Sequence, residues 1–203
     1  MKVIHALTLG VLFTLMLPVI ALADSPVTST PFYEAYSDIG AVARAHEGGV
    51  MTLSIAKLLS SSHHTIDVKM AVINALSWDI DGKSNGELYS YFLALKYGLP
   101  LDELDFATLT SDEQLCLGYL YILDDYFHPD RGITLLEMAN ERVEDSFTYS
   151  IILAIGRAQE AMDYDWDEVW KLAERVFGNK KLKQDMREDA VNIIRDYMVL
   201  YKE

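Results

Sequence analysis

The sequence predicts an all-α protein of eight or nine helices. They form antiparallel hairpins, either stacked as a right-handed α-solenoid-like array or gathered into an irregular helical bundle. Three observations predict this. Apolar residues recur at three- and four-residue spacing along most of the chain. β-Branched residues lie inside those patterns and never in clean period-two runs. The periodic segments are separated by short connections rich in Gly, Pro, Asn and Asp, which favour antiparallel neighbours.

The chain opens with Met1-Lys2, an apolar run from Val3 to Leu22, and Ala21-Leu22-Ala23 ahead of Asp24. That order reads as a cleaved secretory signal over residues 1–23. The run approaches the ~20 residues of a membrane span. Pro18, the small-residue box and the lack of a basic flank favour removal over retention as an anchor. Residues 24–29 are polar, contain Pro26 and are expected to form a flexible lead into a single all-helical domain, 30–203.

Thr30-Pro31 predicts a helix start, and Phe32, Tyr36, Ile39 and Ala43 share one face up to Gly48-Gly49. Val50 to Leu59 continues with Leu53, Ala56 and Leu59 in helical register before Ser60-Ser61-Ser62. A helix over Asp67–Trp78 follows, and then the turn-rich stretch Asp79 to Gly86. Glu87–Tyr97 is helical and stops at Gly98 and Pro100, with Leu99–Leu109 as a connection. Thr110-Ser111-Asp112-Glu113 has the form of a capping box and opens a helix to about Phe127. Helices are expected over Gly132–Val143, from Asp145-Ser146 through the Ile151–Ile155 run, over Trp166–Phe177, and over Leu182–Leu200.

Two apolar-Gly pairs, Leu117-Gly118 and Ile155-Gly156, lie 38 residues apart, each midway along the first helix of a pair. In the second helices Gly132, Leu136 and Ala139 occupy offsets 0, 4 and 7, and Trp166, Trp170 and Ala173 repeat them. With Tyr121 three residues after Gly118, this pattern resembles degenerate tetratricopeptide-type repeats over residues 111–178. It departs from them at Gln114, at Gln159 and in lacking the terminal Pro. The resemblance implies a scaffold for peptides or proteins and carries no catalytic residue across.

Composition narrows function further. Removing residues 1–23 takes one Lys and no acid, leaving 16 Lys plus Arg against 31 Asp plus Glu, a formal charge of −15. Such a surface repels phosphate backbones and anionic lipid, so neither nucleic acid nor insertion into a membrane after signal cleavage is expected. The basic group Lys180, Lys181 and Lys183 suits a helix end. Cys116 is the only cysteine and sits in an apolar helical run, so the fold must be held by burial without disulfides. A periplasmic or secreted location follows from the signal.

Catalytic patterns are sparse. No G-x-S-x-G elbow or Gly-rich phosphate loop is present. Asp79-x-Asp81-Gly82 fails as a calcium loop, because Lys83 or Leu88 falls at a ligand position. His63-His64 belongs to a solvated turn. Asp124 and His128, one helical turn apart, form the best metal-like pair, which would make a divalent cation the only cofactor to consider. Among the many aromatics, Tyr89, Tyr121, Trp166 and Trp170 are candidate binding residues. Tyr at i and i+2 (Tyr89 with Tyr91, Tyr119 with Tyr121) turns rings to different faces, and Trp166 and Trp170 share one.

The leading expectation is an exported soluble scaffold binding a basic protein or peptide, an immunity-type inhibitor of an imported toxin being one form of it. Two alternatives are a metal-dependent hydrolase of the cell envelope and a structural envelope protein without catalysis.

Overall fold

The side chains of Thr52, Thr110 and Ser146 accept the first amides of three helices, and Gly49 and Gly98 close the ends of two others in the left-handed conformation. The computed structural model describes residues 25–202, and the predicted signal peptide lies outside the described residues. Among these residues nine α-helices and no strands occur: α1 (Gly40–Gly48), α2 (Leu53–Leu59), α3 (Ile66–Leu76), α4 (Asn85–Tyr97), α5 (Ser111–Asp124), α6 (Asp130–Arg142), α7 (Phe147–Ala161), α8 (Trp166–Gly178) and α9 (Glu188–Met198). The predicted capping box is present, with the Glu113 amide donating to the Thr110 hydroxyl and Glu113 accepting from the Thr110 amide. Gly98 ends α4 at φ +69°, a left-handed conformation that only glycine adopts without strain.

The core runs the length of the array, and α3, α5 and α7 supply most of its fully buried residues. Helices α5 and α6 form the tightest hairpin. A Cβ at Gly118 would lie 2.8 Å from the Gly132 carbonyl oxygen, and one at Gly132 would lie 2.4 Å from Ile122 Cγ1. Gly156 of α7 makes room for the methyl ends of the Ile122 and Leu136 side chains. Gly118 and Gly132 therefore mark the place where α5 and α6 meet nearly backbone to backbone, with Leu136 filling the space beside them. α8 packs on α7 through Val169 and Ala173, buried one turn apart.

Three sequence expectations are corrected by long-range contacts. Of the lead expected to be flexible, the described residues 25–29 are packed down: Ser25 and Val27 are buried, as is Thr30 after them; the Ser25 hydroxyl donates to Gln159, and the Thr30 carbonyl accepts from Asn74. The helix expected from Thr30 to Gly48 is divided into a 3-10 turn, Phe32–Tyr36, and α1, with Ile39 extended between them. The break turns the Tyr36 hydroxyl to Asp67 Oδ2 (2.9 Å), where it also accepts the Arg187 amide (3.2 Å). Finally, the segment before α9 is not helical. Lys183 makes a single β-bridge with Ser146, and Asp185 accepts from the Thr148 amide (2.9 Å) and the Ser146 hydroxyl (2.6 Å), capping α7 from outside its own sequence.

Buried polar groups staple the irregular first half. Lys83 Nζ donates to the carbonyls of Gly49 (2.9 Å) and Leu76 (2.6 Å), closing the C-terminal ends of α1 and α3 together. Lys69, wholly enclosed on α3, reaches Asp112 at 2.5 Å, and the Tyr149 hydroxyl donates to the other oxygen of the same carboxylate. Burial pushes the Cys116 thiol well above its ordinary value, so it is a small core residue and not a nucleophile.

Candidate functional site

Three of the six residues singled out from sequence meet in one cleft. Tyr121 and Asp124 at the end of α5, and His128 just beyond it, line a hollow of about 220 Å³ together with Glu87 of α4 and Arg131 of α6. α4 lacks a side-chain cap of its own at Ser84. Asp124 supplies it across space: Oδ2 accepts the Gly86 amide at 2.7 Å, and the Asp124 carbonyl accepts the Lys83 amide at 3.0 Å. Gly86 permits this approach, since a Cβ there would lie 2.6 Å from the Tyr121 ring.

The second carboxylate oxygen, Oδ1, is buried and accepts no hydrogen bond. None of the nearby cations reaches it. Lys83 is held by the two helix carbonyls, and the Arg131 guanidinium lies on the Tyr121 ring, 3.8 Å from its centroid. His128, largely exposed, directs Nδ1 to Asp125 at 3.0 Å. Asp124 and His128 thus share a cleft but serve separate partners. Among the described residues no three His, Cys, Asp or Glu side chains are grouped to hold a metal ion.

Burial raises the Asp124 carboxyl from the ordinary carboxylate range to about 6, against the backbone amides of Gly86 and Asn85 and the charge of Lys83, with Glu87 adding to the rise. The folded chain therefore binds this proton more tightly than the unfolded chain. Stability from this group is fully present below the ordinary Asp range and is lost as pH rises through about 6. We expect the wild type to gain up to about 2 kcal/mol relative to Asp124→Asn between about pH 7.5 and pH 4. Thermal melts of both proteins across that range check this; parallel curves would refute it.

The tryptophans occupy a different surface. Trp166 is about half exposed, its ring 5.8 Å from that of Tyr201, and with Leu200 the two border a shallow hollow of about 240 Å³. Trp170, one turn on, is half-buried against Phe177 and carries Lys202 Nζ 5.2 Å above its ring. Its indole N–H is buried with no acceptor. Comparison with known proteins returns no match: no family model fits the chain, and no curated protein or solved structure is significantly similar to it. The chemistry of these surfaces therefore rests on their own geometry.

Tyr89 belongs to neither site. It is fully buried, its hydroxyl 2.9 Å from that of Ser60 and its ring stacked on Phe92, so it is a core residue; its neighbour Tyr91 is the exposed member of the pair. In the second pair Tyr119 is buried and Tyr121 is half-buried. Around Trp166 the chain reads Asp163-Tyr164-Asp165-Trp166-Asp167, and all five residues are exposed. Sequence reasoning had picked out only the tryptophan, although the alternation of acid and ring was visible there.

Proposed function

We propose that the chain is an exported helical scaffold that holds a basic protein or peptide on the surface at the start of α8. The observation that carries this reading is the exposed run Asp163–Asp167, in which three carboxylates make no ion pair among the described residues. Aromatic faces between unpaired carboxylates offer lysine and arginine side chains both a ring to lie on and a charge to neutralise. The excess of acid over base extends attraction beyond this patch and favours fast, salt-sensitive encounter. The pattern of residues 1–23 supports export.

Titration with a short oligolysine peptide, read by tryptophan fluorescence, tests the reading. A saturable change is expected, weakening as salt rises and lost when Trp166→Ala is combined with Asp165→Asn and Asp167→Asn. An equal response to oligoglutamate, or none to oligolysine at low salt, would overturn it.

A further inference from the structure

We propose that the cleft over Asp124 is a binding socket for a primary ammonium group, separate from the surface around Trp166. An ionised carboxylate has lone pairs for about four hydrogen bonds. Asp124 is 8% exposed and gives Oδ2 to the Gly86 amide, while Oδ1 is buried and has no partner. An acceptor held in this way is complementary to a donor that arrives from outside. Positive charge on that donor strengthens the bond, because the low local dielectric magnifies charge-assisted contacts.

The surroundings favour an ammonium over an anion. Glu87 stands on the first turn of α4 close enough to act on the Asp124 charge, and Asp125 also lines the hollow. The cations that could fill the socket from within are committed elsewhere, Lys83 to the Gly49 and Leu76 carbonyls and Arg131 to the face of Tyr121. His128 is turned to Asp125. The volume of about 220 Å³ admits the end of a lysine side chain or a small free amine, not a larger ring system.

The test is amide NMR of the full chain titrated with n-butylammonium chloride and, separately, with Nα-acetyl-lysine methylamide. Saturable shifts of the Gly86 and neighbouring amides are expected with both probes. Binding of the lysine derivative would point to a protein side chain as the natural occupant, and binding of butylammonium alone to a free amine. Asp124→Asn keeps an acceptor for the Gly86 amide and should weaken binding about tenfold or more. Glu87→Gln, which changes only an exposed rim carboxylate, should weaken it about threefold and serves if the first variant is unstable. No saturable shift, unchanged affinity in both variants, or sodium butyrate shifting the same amides instead would overturn the socket. These signals come from residues 83–87 and 124, so the result is independent of whether oligolysine binds around Trp166.

Discussion

Gly132→Ala is expected to lower the unfolding free energy by about 3 kcal/mol, at the upper end of ordinary overpacking effects. The added Cβ would stand 2.4 Å from Ile122 Cγ1 and 2.5 Å from the Gly118 carbonyl oxygen. The second contact is decisive, because a backbone oxygen inside α5 cannot turn aside as a side chain can. Relief requires the whole α5–α6 hairpin to open, and α7 is wedged against the same place through Gly156. Gly156→Ala should be milder, since its nearest neighbours are the methyl ends of Ile122 and Leu136. Gly48→Ala, with nothing within 4 Å of its added carbon, is the control and should change stability by less than about 0.5 kcal/mol. Urea unfolding of the three variants checks the order; similar losses in all three would show that close approach is not what these glycines provide.

The second large effect is expected at Asp112. Lys69 is 2% accessible and its ammonium group meets Asp112 at 2.5 Å, so removing that carboxylate leaves a charge enclosed in the core. Asp112→Ala should destabilise the fold by about 3 kcal/mol, and it also strands the Tyr149 hydroxyl. Lys69→Met is expected to cost only about 1 kcal/mol, because Asp112 is partly open to solvent and keeps Tyr149. The double variant should then cost about 2 kcal/mol, since the Tyr149 hydroxyl still loses its acceptor, which leaves a coupling of about 2 kcal/mol in the cycle. Additive losses would mean that the pair contributes nothing as a pair.

What was legible in the sequence is what a helix writes into its own residues. The capping box at Thr110 and Glu113, the stop at Gly98 and the small residues Gly118, Gly132 and Ala139 could all be read locally. What was not legible depends on partners far along the chain. Asp124 and Asp185 look like surface acids, yet each caps a helix to which it does not belong. Leu182 and Met186 have helical spacing, but the segment is drawn into an extended path by Ser146 and Thr148. Lys69 sits one residue from Met70 in an apolar run, and nothing nearby in sequence announces Asp112. At the candidate sites Trp166 and Trp170 were found because they share a helix face. Spacing of two residues established that Tyr89 and Tyr91 look in opposite directions, but it could not say which one faces the core.

The junction of Arg187 with the first turn has a kinetic meaning. Arg187 pairs with Asp38 at 2.5 Å, donates to the Ala35 carbonyl and lies over the Tyr36 ring, joining positions about 150 residues apart. An open stack of hairpins can fray from either end, because each unit touches only its neighbours. Here the two ends hold each other, so neither can peel away without releasing the other. Unfolding should accordingly be all-or-none. Folding in turn waits for an entropically costly ring closure, which requires the segment carrying Arg187 to meet the first turn.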